Sequence, residues 1–337
     1  MKWSIRLLVL FLSFSLLTTV AVFAGSNAKT ESDHNDGSDH HERDESLPNI
    51  SAVQLEAGQK LAVVASTSIV GDVVANVGGG SIELRVLVGI GQDPHSYEPT
   101  PAALAAVEKA HVVFVNGFGL EEGLLDSIES TAKGVVVIVS TGLEPLETGH
   151  DQHEHGPIDP HVWFDPTNVM LWVENIEQAL SEADPSNHEG YHGRAEEYLK
   201  RLRTLDESMR KKFAALPEDR KKLVTDHHLL GYFADEYGFE VIGAILPSTS
   251  TSAEASTRQM AELVELLHHE GVTTIFIGST VGRGLEKLAE SIAEELGEEV
   301  RIVGMLTGSL STRGTQGDTY LGYMEYNVEQ IMSGLEP

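Results

Sequence analysis

The sequence predicts an α/β protein of two lobes, each a four-stranded, mostly parallel sheet flanked by helices, with one long helix joining them. Three observations carry this. Short Val/Ile-rich runs bounded by Gly, Pro or Ser recur eight times and alternate with helix-forming stretches, the pattern of buried parallel strands. Four of these runs precede the middle of the chain and four follow it. Between the two sets, residues 184–216 are mostly helix formers with apolar residues at 198, 202, 205, 209 and 213, the spacing of a single long helix.

Taken in order, residues 1–24 carry Lys2 and Arg6, then an apolar stretch, then the small-residue end Val22-Phe23-Ala24, the layout of a secretory signal cleaved after Ala24. The apolar run is long enough that an uncleaved anchor is the alternative. Residues 25–59 are rich in Asp, Glu, Ser and His without apolar periodicity and read as a disordered linker. Order is expected from "KLAVVAST" onward. In the first lobe, residues 60–183, strands are expected at 61–66, 82–88, 111–116 and 134–139, with helices at 68–77, 100–110 and 120–130. In the second lobe, residues 217–337, strands are expected at 221–225, 239–245, 273–278 and 299–303, with helices at 229–237, 256–270 and 284–296 and a last helix opening at Asp318. Lobes joined by one helix are expected to move little against each other.

Composition narrows the chemistry. The formal charge is −29, and loss of Lys2 and Arg6 with the leader takes it to −31, so nucleic acid and anionic lipid are repelled and cations are concentrated. There is no cysteine, hence no disulfide, no thiolate metal ligand and no lipid carried on an N-terminal cysteine. A bound metal would need histidine, carboxylate or backbone oxygen.

Four such residues fall just past strand ends or in the closing loop: His95 in "GQDPHSYEPTP", His161 in "IDPHVWFDP", His227 in "VTDHHLLGYF" and Asp318 in "GDTYLGYM". Ligands of open α/β sheets bind outside the carboxyl ends of strands, so two residues per lobe facing across a crevice would form a His3Asp site. That donor set suits Zn2+, with the carboxylate leaving Mn2+ as the alternative. Both first-lobe histidines sit in Asp-Pro-His, which makes Asp93 and Asp159 candidates to orient the rings. His228, next to His227, is the alternative third ligand. Asp318 taken alone also reads as a helix N-cap. His111, at a strand start, reads as structural, and His188, His192, His268 and His269 as solvated surface residues. His150, His153 and His155 beside acidic residues, and His34, His40 and His41 in the N-terminal tract, form segments able to hold metal weakly.

From about residue 60 to 335 the chain resembles the zinc- and manganese-type solute-binding proteins of bacterial ABC importers, the A-I cluster. The motifs that carry the likeness occur in order: "GQDPHSYEPTP", "VFVNGFGLE", "DPHVWFDPTNV", "VTDHHLLGYFADEYGFE" and "GDTYLGYMEYN". The resemblance implies metal ligands at His95, His161, His227 and Asp318, and a His-rich loop before the second of them. It also implies a monomeric receptor that delivers its cation to a membrane permease, with a metal chaperone as a further partner. The chain departs from the family in having His228 where an Asp or Glu usually follows the third ligand. A zinc hydrolase is the competing class, but four ligands would close the metal shell and no HExxH occurs. An adhesin-like role has no sequence support. The expected location is periplasmic or otherwise extracytoplasmic, not as a lipoprotein.

Overall fold

The computed structural model describes residues 46–148, 157–297 and 300–336. The leader, the N-terminal histidines and His150, His153 and His155 lie outside the described residues. The first lobe runs β1 (Leu61–Thr67), α1 (Ser68–Gly78), β2 (Ile82–Val88), α2 (Pro101–Lys109), β3 (Val112–Val115), α3 (Glu122–Thr131) and β4 (Val135–Ile138). Next come α4 (Pro166–Ala183) and α5 (His188–Phe213). The second lobe follows as β5 (Lys222–His227), α6 (Gly231–Tyr237), β6 (Glu240–Leu246), α7 (Thr257–His269), β7 (Thr274–Gly278), α8 (Arg283–Leu296), β8 (Arg301–Met305) and α9 (Tyr320–Leu335).

The two sheets have matching orders, β2-β1-β3-β4 and β6-β5-β7-β8, and every named strand pair is parallel. In each sheet the chain first moves outward to one side and then returns to build on the other. This leaves a switch point beside the central strands β1 and β5, where loops diverge and a crevice opens. Local chemistry starts the helices: Thr67 accepts from Val70 N at 3.2 Å to cap α1, and Thr100 followed by Pro101 starts α2.

One apolar cluster spans both lobes, from Val63 and Val73 through Trp163, Trp172, Leu202 and Phe213 to Tyr323 and Ile331. Smaller clusters fill the outer faces, around Val64, Val113 and Ile128 in one lobe and Val224, Ile275 and Ile292 in the other.

Three sequence expectations are corrected. The joining helix does not begin at 184: Asp184 terminates α4, Pro185–Asn187 make a 3-10 turn, and α5 spans 26 residues. Residues 166–183, given no helix in the sequence reading, form α4, capped by Asp165 and led by Pro166. Part of the stretch expected as linker lies on the core: Ile50 is buried, Leu47, Val53 and Leu55 pack beside it, and Val53 N donates to Ala183 O at 2.8 Å. The acidic run ends before these apolar residues, which have surface to bury.

Candidate metal centre

His95 stands in the loop after β2, fixed where Pro94 and Pro99 limit the backbone. His161 directly precedes the 3-10 turn Val162–Phe164, whose three side chains are buried in the shared core. His227 is the last residue of β5 and registers against Leu246 of β6. Both lobes thus send imidazoles into one buried point. The Nε2 atoms of His95 and His161 are 3.1 Å apart, and those of His227 and His161 are 3.2 Å apart. Among the described residues these three form the one group of His, Cys, Asp or Glu whose ligand atoms all lie within 4.8 Å of one another.

Two carboxylates set the rings. Asp159 Oδ1 accepts from the His161 backbone N–H at 2.9 Å and sits 2.7 Å from His161 Nδ1. Asp226 Oδ1 contacts His227 Nδ1, while its Oδ2 accepts from the Gly278 backbone N–H. With each Nδ1–H directed at a carboxylate, the Nε2 lone pairs of His161 and His227 face the common point. Burial pushes the His95 imidazole down to about 2, with its two imidazole neighbours adding to the effect. Burial likewise lowers His161, against the opposing pull of Asp159. Neutral imidazoles with converging lone pairs at this spacing repel one another unless a cation lies between them. Metal–nitrogen bonds of about 2.0–2.1 Å in a tetrahedral shell put nitrogens roughly 3.3 Å apart, close to what is seen.

Other sequence candidates lie elsewhere. Asp318 does not join the trio. Its Oδ2 accepts from Gly314 N at 2.7 Å, closing the turn before α9, and its charge bears on Asp72. Nor does it cap α9, where Thr319 accepts from Gly322 N. Asp93 does not hold the His95 ring: it accepts from the His95 backbone N–H at 3.1 Å, from Ser96 Oγ, and from Thr251 Oγ1 of the other lobe. It ties the loop in place and bridges the crevice. His228 is half-buried outside the trio, its backbone N–H bonded to Ser248 O at 2.8 Å, and it lines a separate cavity with Leu146, Thr148 and Pro247. His111 Nδ1 accepts from Ala62 N at 2.9 Å, a structural role. Asp226 was missed in the sequence, although the adjacent Asp-His of "VTDHH" offered the signal.

The trio rests on an interlobe scaffold. Trp163 Nε1 donates to Tyr323 OH at 3.0 Å, and Tyr323 OH donates to Thr307 O at 2.6 Å. Tyr320 OH donates to Trp163 O at 2.8 Å.

Residues 63–334 match the family described as zinc-uptake complex component A, periplasmic (ZnuA). A manganese ABC transporter substrate-binding lipoprotein, PsaA, of Streptococcus anginosus is 32% identical over 286 residues, covering 83% of this chain and 90% of that protein. The manganese-binding lipoprotein MntA of Halalkalibacterium halodurans is 34% identical over 283 residues, covering 83% and 90%. Among solved structures, the periplasmic zinc binding protein TroA of Treponema pallidum superposes with a TM-score of 0.76 at 30% identity, covering 83% of this chain and all of that one. The names correct one expectation. The absence of cysteine is a fact of the sequence, but both relatives are named as lipoproteins, and the reading of a protein that is not a lipoprotein is withdrawn.

Proposed function

Since the chain belongs to the zinc-uptake complex component A family, metal-binding receptors of ABC importers and not enzymes, we propose that it carries Zn2+ in preference to Mn2+, held by His95, His161 and His227. The observation that supports this is the donor set: three buried imidazoles, with His161 Nε2 3.1 Å from His95 Nε2 and 3.2 Å from His227 Nε2, and no carboxylate in the group. Zinc accepts such a nitrogen-rich, four-coordinate shell readily, whereas manganese is the weaker binder in the Irving–Williams order and favours more oxygen. With Asp318 turned to Gly314, the bidentate carboxylate that would have favoured manganese is not at the trio. The fourth position is then left to water. Three ligands remove the closed-shell reason for excluding hydrolysis, and family membership carries that exclusion instead. Asp159 and Asp226 are committed to imidazole N–H groups, so neither is placed to act as a general base toward a bound water.

Competition at equal free metal is expected to show zinc displacing manganese. His227→Ala is expected to abolish tight binding, and His228→Ala to leave it intact. Growth of a transporter-deficient cell should be rescued in a zinc-dependent way. Rescue by manganese alone, with zinc bound but never delivered, would retire the zinc assignment and keep the receptor.

The partner in this reading is the membrane permease of the importer. The His-rich loop supplies weak capture through His150, His153 and His155. Its flanks are pinned together beside the site: Thr148 N and Oγ1 both donate to Pro157 O at 2.9 Å, two residues before Asp159. Deleting residues 149–156 should lower the number of weakly bound Zn2+ ions and leave the tight site unchanged. An unaltered stoichiometry at high zinc would make the loop a linker only.

A further inference from the structure

A second set of metal-ligating groups lies where α4 meets α5, on helices that carry none of the cleft histidines. His188 is the first residue of α5 and His192 stands one turn later, so both imidazoles project from the same face of the helix. Their rings are stacked with centroids 6.0 Å apart and an interplanar angle of 26°. Glu177 of α4 reaches between them: its Oε1 is 3.6 Å from His188 Nδ1 and 4.0 Å from His192 Nδ1. Ser181 Oγ donates to that same oxygen at 3.0 Å, which holds the carboxylate in place. Ser181 Oγ also lies 3.0 Å from His188 Nδ1. On the far side of the second ring, Glu196 Oε1 is 3.8 Å from His192 Nε2.

These are the donor types and the helix spacing of a surface metal site. Two histidines at i and i+4 on one helix face are a recurrent zinc-binding pair, and here a carboxylate from the neighbouring helix completes a triad. Tetrahedral zinc, with bonds of about 2.0–2.2 Å to nitrogen and oxygen, needs donors roughly 3.3–3.6 Å apart. Glu177 Oε1, at 3.6 and 4.0 Å from the two imidazoles, is within a few tenths of an ångström of this spacing. The two rings lie further apart, with centroids 6.0 Å from each other, so the half-exposed imidazoles must turn toward Glu177 for all three donors to meet one ion. Glu196 lies on the side of His192 away from Glu177, 3.8 Å from Nε2, looser than the 2.7 Å of Asp159 to His161 but on the ring nitrogen where an orienting carboxylate would act. Among the described residues the ion-pair partners of Glu177 are these two imidazoles, with no Lys or Arg. The strongly negative chain raises the local concentration of any cation.

We propose that Glu177, His188 and His192 form a second, weaker site for a borderline divalent cation such as Zn2+, Ni2+ or Cu2+, with Glu196 orienting the His192 ring. This site is independent of which cation the cleft takes.

The test is NMR of the full chain with 13C at histidine Cε1, at constant pH 7.5. The cleft is filled with one equivalent of Zn2+ and further Zn2+ is then added. The His188 and His192 signals are expected to move together along one saturable curve after the first equivalent, and Mg2+ should not move them. Glu177→Gln should weaken that curve about tenfold or more, as loss of a carboxylate contact to a metal site does. His188→Gln should remove the response of His192. In both variants the first equivalent should bind as before, which shows that the fold and the cleft are intact. Signals that stay in place to millimolar Zn2+ would overturn the proposal. So would two separate curves, or a joint curve unchanged by Glu177→Gln.

Discussion

Asp159 and Asp93 occupy the same place in two Asp-Pro-His tripeptides, yet they do different work. Asp159 Oδ1 meets both the backbone N–H and Nδ1 of His161, whereas Asp93 meets only the backbone of His95 and spends its other oxygen on Ser96 and Thr251. The tripeptide spacing was legible in the sequence, but ring direction is decided by tertiary neighbours that no local pattern contains. Gly231 illustrates this. A Cβ there would lie 2.6 Å from Asp159 Oδ2 and 2.7 Å from Leu146 Cδ2. Asp159 Oδ2 is buried and has no hydrogen-bond partner among the described residues. The carboxylate therefore packs directly against Gly231 at the first turn of α6, with no room for a side chain there. Gly231→Ala is expected to displace Asp159 and release the His161 ring. Metal affinity should fall by about 10–100-fold, the loss typical of removing an orienting partner, with the far-UV spectrum unchanged. Asp159→Asn should give a loss of the same order. Normal affinity in both would show that the His161 ring needs no carboxylate.

The eight strands lie within a few residues of their expected positions. Strands β1, β3 and β7 are short, nearly uniform apolar runs, the mark of a strand buried on both faces, whereas the edge strands β2 and β8 also carry exposed residues such as Glu83 and Arg301. Helix α5 was legible for a similar reason. Tyr191, Ala195, Tyr198, Leu202, Leu205, Met209 and Phe213 recur at three- and four-residue steps, and all are buried. Helix α4 carried a comparable stripe in Val169, Trp172, Val173, Ile176 and Leu180, with Asp165 and Pro166 as a start signal. Its start signal lies inside the metal motif "DPHVWFDPTNV", where the ligand pattern masks the helix pattern. These two helices pack on each other and carry the core shared by both lobes. Leu202 of α5 is fully buried in that core. Leu202→Ala should destabilise the chain by about 2–5 kcal/mol, through lost transfer energy and the cavity left behind. Denaturant unfolding would measure this, and a loss under about 1 kcal/mol would show that α5 repacks instead of anchoring the lobes.

At the scale of the molecule, the lobes are held by one core and by polar ties across the crevice, including Asp72 accepting from Tyr320 N at 2.9 Å and Ser68 Oγ accepting from Leu310 N at 3.0 Å. A crevice so fixed cannot relieve the crowding of its three imidazoles by opening widely, and protonation meets the same obstacle. Burial lowers the His95 pKa from 6.5 to about 2 and lowers His161 as well, so both are neutral in the folded chain at neutral pH. Once the chain unfolds they regain ordinary imidazole values. Below about pH 6.5 the unfolded state therefore binds more protons than the folded state, and stability without metal falls as pH falls. Above that pH both states are neutral at these positions, and the contribution is constant. The negative charge of the chain acts in the opposite direction, because acid relieves its self-repulsion. Comparison with a variant separates the two effects. Metal-free wild type and His95→Gln would be unfolded in denaturant from about pH 7.5 down to about pH 4.5, a window above the ordinary carboxylate range. The stability difference between them should be flat near the top of that range and shift steadily against wild type below about pH 6.5. A difference that stays constant throughout would mean that His95 takes up its proton in the folded chain, and that the crevice opens far more easily than its shared core implies.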